Sequence, residues 1–420
     1  MTNLQLAIQF FLQLGIILIF CRIVGMIAAR FGQPQVVAEM IAGVCLGPSL
    51  LGFLHPGLSE ALFPKESMKV LFPVSQLGLA LYMFIVGLEF RMDIVQKRFA
   101  SSVAVSLAGM TAPFVLGAAV GWYLWNHTQL FPKATSEQNA MIFMGASMCI
   151  TAFPMLARII HFKGLAGTTM GTVAIGAGAI DDAAAWGMLA VVLASFNGDF
   201  SHALISIGGG IGYVVLAHLV IRPMLARYAV GMERRGTLSD GEYAFFLALM
   251  CLGSWWTDYI ELHAVFGAFV MGSAMPRGLV NRTLIERTQP LAVALILPLF
   301  FTYSGLNTRL GLLNSLELWM LAAAVLVAAI LGKGVACWGA ARASGISNKE
   351  AMGIGVLMNA RGLMELIIIN IGLQRGIISP EIFAMLAIMA VITTLMASPI
   401  FERLVGTGTF RGEPEPGREI

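Results

Sequence analysis

About thirteen apolar stretches, most of 17 to 27 residues, follow one another along 420 residues with short polar joints between them. A stretch of that length crosses a hydrocarbon core of about 30 Å as an α-helix. Helices are also the open-ended way to satisfy every backbone N–H and C=O in lipid. The spans read as 4–29, 36–54, 70–89, 100–125, 140–160, 165–196, 202–221, 242–257, 260–275, 290–306, 315–341, 351–373 and 382–401. No strand-like alternation competes with them, so the expected fold class is an all-α integral membrane protein with about 13 transmembrane helices. Composition agrees, with 58% of residues apolar and 12% charged, where a soluble domain has about a quarter charged.

The basic residues fall on alternate joints. With the N-terminus outside, about 18 Lys and Arg lie inside and about five outside (Lys65, Lys69, Lys133, Arg309, Arg375). The expected setting is a bacterial inner (plasma) membrane, with the N-terminus outside and the C-terminus cytoplasmic. The first span lacks the charged flank of a cleaved signal and is too long for one. Cys21, Cys45, Cys149, Cys251 and Cys337 fall inside spans without paired spacing, which argues for packing residues and against disulfides or zinc. No dinucleotide fingerprint is present, so no cofactor is expected; nor is a nucleic-acid partner.

The longest basic polar segment, Arg222 to Asp240, sets six helices and a linking helix before it and six helices after it. The halves then insert in opposite orientation, an inverted repeat of the kind that builds a midplane site from broken helices. Interruptions fall at matching places. The fifth span carries Ile150-Thr151-Ala152-Phe153-Pro154, and proline both lacks a donor and disfavours helix at the preceding residue. The twelfth carries Gly353, Gly355, Asn359, Arg361 and Gly362. Two broken helices crossing at the midplane are therefore expected.

An ionisable side chain at membrane depth costs at least about 2.5 to 3.5 kcal/mol on insertion scales, so each is a functional candidate unless it lies near a helix end. Arg22, Glu89 and Arg158 lie close to ends and can snorkel, and Glu39 is only a turn into its span; these read as structural. Asp181 and Asp182 lie at the centre of the sixth span among Ala, Ile and Gly. On a helix, neighbours are turned by about 100°, so the two acids need not share one job. Lys333 is equally central in the eleventh span and is a counter-charge for one of them. Arg361 and Glu365, four apart, share a face. Pairing offsets desolvation only with good geometry, which argues that these helices pack around one site. A hard monovalent cation, Na+ or K+, wants oxygen ligands, which the carboxylates, the Thr151 hydroxyl and carbonyls freed at the fifth-span break supply. Protons compete for the same oxygens, and that competition is sufficient for exchange.

The run Ile150-Thr151-Ala152-Phe153-Pro154-Met155-Leu156-Ala157-Arg158-Ile159, followed by the acidic pair, resembles the monovalent cation:proton antiporter-2 family, particularly its plant cation/H+ exchanger branch. Glu39 to Gly52, Phe84 to Glu89, His263 to Phe269 and Met358 to Leu366 are similar to further stretches of that family, in the same order. The resemblance extends to the bacterial Kef and NapA types. It implies a transmembrane antiporter domain over 1–404 with a short cytoplasmic tail at 405–420, working as a homodimer in the lipid bilayer. Scaffold and dimer helices would lie within 1–99 and 241–306, a linker helix at 202–240, and core helices within 100–196 and 315–404. By position, Asp182 matches the ion-binding aspartate, Asp181 the residue before it, Thr151 the unwound-helix threonine and Lys333 the core lysine of electrogenic members. Glu365 matches an acid after the second break. Plant members commonly have Asn where Asp181 stands and tend to Lys where Arg361 stands, which leaves open which base, Lys333 or Arg361, pairs with Asp181. Two adjacent acids predict more than one proton per cation, hence electrogenic exchange.

Enzyme readings fit poorly. An intramembrane aspartyl protease needs a G-x-G-D-type segment, which is missing, and a prenyltransferase needs a third acid after Asp181-Asp182-Ala183-Ala184-Ala185. The alternative is a Kef-type potassium efflux channel or transporter, which shares the expected membrane fold.

Overall fold

The computed structural model describes residues 2–31, 33, 35–90, 98–165, 167–197, 200–260, 262–306 and 310–406; helices and their joints account for them, with no strand among the described residues. In chain order come α1 (Asn3–Arg30), α2 (Gln35–Leu46), the short α3 (Leu51–Leu54) and α4 (Pro56–Leu62), α5 (Met68–Glu89) and α6 (Phe99–His127). The half-helices α7 (Glu137–Cys149) and α8 (Phe153–Phe162) precede α9 (Thr169–Asn197). A continuous helical stretch then joins α10 (Phe200–Leu216), a π-helical turn (Ala217–Ile221) and α11 (Arg222–Arg235). After α12 (Asp240–Tyr259) and α13 (Ala264–Ala274), α14 (Leu279–Leu291) continues through a second π-helical turn (Ala292–Ile296) into α15 (Leu297–Leu306). The last elements are α16 (Leu316–Ala343), the half-helices α17 (Asn348–Leu357) and α18 (Leu363–Gln374), and α19 (Pro380–Val405).

Local chemistry explains many of these boundaries. Ser136, Ser239, Ser315, Ser347 and Ser379 each accept a backbone N–H as the N-cap of α7, α12, α16, α17 and α19. Ser239 and Glu242 complete a reciprocal capping box. Each π-helical turn lies within two residues of a proline, Pro223 or Pro290, whose missing N–H disrupts the regular ladder there. The basic segment that reads as polar from Arg222 is helical as far as Arg235, because Leu225, Ala229 and Met232 give it a buried stripe.

The chain divides into two compact units. The first comprises Met1–Val24, Ala42–Phe90 and Trp186–Asn307, as far as they are described. Within it, α5 and α13 approach closely through Gly87 and Gly272. A Cβ on Gly272 would lie 2.2 Å from the Phe84 carbonyl oxygen, which fixes a residue without a side chain at that crossing. The second unit comprises Gly25–Ile41, Arg91–Ala185 and Thr308–Ile420, again as far as described. There α6 lies against α7, where a Cβ on Gly117 would meet the Met144 carbonyl oxygen at 2.6 Å.

Glu39, only a turn into its span, is buried. One side-chain expectation needs correction. Cys251 does not pack inside: it lies on a face of α12 that also exposes Leu252 and Trp255. The Arg158 side chain, expected to snorkel, lies outside the described residues.

Candidate functional site

Both interruptions read from the sequence are real breaks, and both lie in the second unit. α7 stops at Cys149, and α8 begins at Phe153 with Pro154 in its first turn, where a proline costs no helical hydrogen bond. The other break separates Leu357 from Leu363. The breaks touch: the Ala152 N–H donates to the Ala360 carbonyl at 3.2 Å. Thr394 on α19 fixes the second break, its Oγ1 donating to the Arg361 carbonyl at 2.7 Å and accepting the Arg361 N–H at 3.1 Å.

Asp181 and Asp182, at the middle of α9, are both buried but differ in their surroundings. Asp181 is fully engaged. Ser106 Oγ on α6 donates to its Oδ1 at 2.6 Å, Thr151 Oγ1 donates to its Oδ2 at 2.6 Å, and Lys333 Nζ lies 3.2 Å from that same Oδ2. Three donors, one of them cationic, satisfy a buried carboxylate. Asp182 is 2% exposed, and its Oδ1 has no hydrogen-bond partner among the described residues. The 100° turn between neighbours on a helix thus places one acid among partners and leaves an oxygen of the other uncommitted.

The two bases are divided between the two remaining acids and the end of α7. Lys333 pairs with Asp181 and also donates to the Cys149 carbonyl. Arg361 donates to the Met148 carbonyl at 2.6 Å and the Ser147 carbonyl at 3.3 Å, and its Nη1 lies 3.5 Å from Glu365 Oε1. The pairing that the sequence leaves open is therefore Lys333 with Asp181 and Arg361 with Glu365.

Three of the carbonyls freed at the first break already have cationic partners. Those of Ser147, Met148 and Cys149 are taken by Arg361 and Lys333, because the C-terminal end of a helix carries partial negative charge that buried cations neutralise. Sequence reasoning also missed Ser106. A signal was present: Ser102, Ser106 and Gly109 recur at i, i+4 and i+7 and form a buried small-residue stripe on α6. Both serines donate to α9, Ser102 to the Val173 carbonyl at 3.4 Å.

Such an arrangement offers a hard cation or a proton an uncommitted, buried carboxylate oxygen, beside a second carboxylate held by a lysine. Among the described residues, no group of three or more His, Cys, Asp or Glu side chains has the geometry of a metal centre.

Comparison with known proteins bears on what such a site does. The family model described as "Sodium/hydrogen exchanger, transmembrane" matches residues 15–406. The chain is 38% identical over 392 residues to the Na(+)/H(+) antiporter NhaS4 of Synechocystis sp., covering 93% of this chain and 95% of that protein. It is 34% identical to cation/H(+) antiporter 19 of Arabidopsis thaliana over 97% of this chain, and 30% identical to K(+)/H(+) antiporter 1 of Saccharomyces cerevisiae over 93%. It spans about half the length of those two proteins, 51% and 46% respectively. The sodium proton antiporter MjNhaP1 from Methanocaldococcus jannaschii shares the fold, with a TM-score of 0.64 at 14% identity over 96% of this chain and 98% of that one.

Proposed function

This chain belongs to the sodium/hydrogen exchanger family, whose members are integral membrane transporters rather than enzymes, and on that footing we propose that it exchanges Na+ or K+ for protons at Asp182, electrogenically and by alternating access. The asymmetry of the adjacent acids carries this reading. Asp182 keeps an oxygen uncommitted, while both oxygens of Asp181 are occupied by Ser106, Thr151 and Lys333. A proton and a monovalent cation compete for Asp182: protonation on one side expels the cation, and cation binding on the other expels the proton. Thr151 places Asp181 beside that site, and its hydroxyl oxygen is a further ligand for the cation.

The Asp181–Lys333 pair supplies the additional charge. Lys333 gives up its proton when a cation binds at the carboxylates beside it and takes one up when the cation leaves, so that more than one proton moves per cation and the exchange responds to membrane potential. Arg361 and Glu365 hold the crossing of the broken helices, around which the site turns. The family resemblance supports a homodimer, and the distribution of Lys and Arg supports an N-terminus outside and a cytoplasmic C-terminus in a bacterial inner membrane.

Proteoliposomes loaded with a pH dye and pulsed with Na+, K+ or Li+ test the reading. Wild type moves protons in response to at least one cation, and Asp182→Asn does not. Wild-type protein that conducts K+ without moving protons would replace it with the Kef-type channel. Turnover indifferent to membrane potential would restrict it to equal-charge exchange.

A further inference from the structure

The apolar helical span from Leu204 to Arg235 has 32 residues, about 48 Å at 1.5 Å per residue, against about 30 Å of hydrocarbon core. No Lys, Arg, Asp or Glu lies between Leu204 and Ile221, whereas Arg222 follows at once and Arg227, Glu233, Arg234 and Arg235 lie in the surplus length. Its final part, α11, buries Leu225, Ala229 and Met232 on one side. Seven-residue spacing puts Arg227 and Arg234 together on the opposite, exposed side, about 10 Å apart along the axis.

Local carboxylates do not serve these residues. Arg235 pairs with Glu242 at 2.5 Å, Arg287 pairs with Asp240 at 2.8 Å, and Arg277 donates to the Leu88 and Phe90 carbonyls. Arg222, Arg227, Arg234 and Arg282 make no ion pair among the described residues. The face is also apolar in places: Met224, Tyr228 and Val230 are 62%, 50% and 47% exposed, and Tyr228 meets Phe245 edge-on with ring centroids 6.0 Å apart. Guanidinium groups interleaved with exposed apolar and tyrosine side chains, at the end of a membrane-length helix, match the boundary between acyl chains and headgroups. A soluble acidic partner would meet the charges but not the exposed apolar side chains beside them.

We propose that this face of α11, with Arg227 and Arg234 at its centre, is a docking surface for the headgroups of anionic phospholipids. Each guanidinium takes a separate phosphate, and Met224, Tyr228 and Val230 lie against the adjoining acyl chains. The attraction is electrostatic and so weakens with salt. The proposal does not depend on the antiport reading, and its test needs no transport.

The protein is compared in lipid nanodiscs of phosphatidylcholine alone and of phosphatidylcholine mixed with phosphatidylglycerol. Wild type unfolds at a higher temperature in the anionic membrane, and the rise shrinks as salt is added. The double variant Arg227→Gln, Arg234→Gln loses most of that rise, while Arg227→Lys, Arg234→Lys keeps it. Titration with short-chain phosphatidylglycerol in detergent weakens by about five-fold per arginine removed. Both arginines are exposed, so the variants should fold. An undiminished rise in the glutamine variant would overturn the proposal. So would the same stabilisation from soluble glycerophosphate, which would mark a free-phosphate site instead of a lipid surface.

Discussion

The two helix breaks meet at one backbone hydrogen bond but are stabilised by different means. At the first, the closing carbonyls of α7 are met by cations from distant segments, Lys333 on α16 and Arg361 beyond α17. At the second, Asn359 Nδ2 closes onto the Gly355 carbonyl at 2.9 Å, Thr394 holds the backbone of Arg361, and Glu365 lies in the first turn of α18, where the helix dipole favours an acid. The second break thus supplies a base that neutralises the first, while the first gives the second a single backbone N–H, from Ala152 to the Ala360 carbonyl. Matching topology did not impose matching chemistry.

The largest effect is expected of Arg361→Ala, which leaves two carbonyls and Glu365 without their cation. A loss of about 3–5 kcal/mol is expected, seen as a large drop in the unfolding midpoint in detergent; a drop within error of wild type would mean that each break holds itself. Lys333→Gln should cost slightly less, about 3 kcal/mol, because the amide can still donate to the Cys149 carbonyl. It should also remove the response of transport to membrane potential while Asp182 still exchanges cation for proton.

Ser106→Ala deletes a hydrogen bond to a charged carboxylate and should cost about 1.5–3 kcal/mol. If the surroundings of Asp181 set the ratio of protons to cations, this variant will change that ratio in a zero-flux assay without abolishing exchange. The smallest effect is expected of Thr394→Val, about 1 kcal/mol, since side-chain hydrogen bonds within a bilayer contribute little net stability. A loss as large as that of Arg361→Ala would show that the backbone clasp, not the guanidinium, holds the crossing.

Much of this architecture was legible in the residues. Pro154 and the Asn359–Gly362 run marked both breaks, and the burial cost of a central charge selected Asp181, Asp182, Lys333, Arg361 and Glu365, all of which the fold brings into one unit. Less legible was Ser106, because a serine in an apolar helix carries no cost that sets it apart; only its partner does. The fate of the freed carbonyls was equally hidden, since any backbone oxygen at a break is open until something else claims it.

By itself, the sequence determined a helical membrane protein with two interrupted helices and a small set of charges at depth, because span length and desolvation cost are properties of short segments. The tertiary structure decided which acid is committed and which is not. Ser106 reaches Asp181 across 75 residues of chain and Arg361 reaches Ser147 across 214, and such pairings depend on how each helix is rotated about its axis. One residue's turn, about 100°, is enough to exchange the surroundings of Asp181 and Asp182, and no local pattern in the chain records that angle.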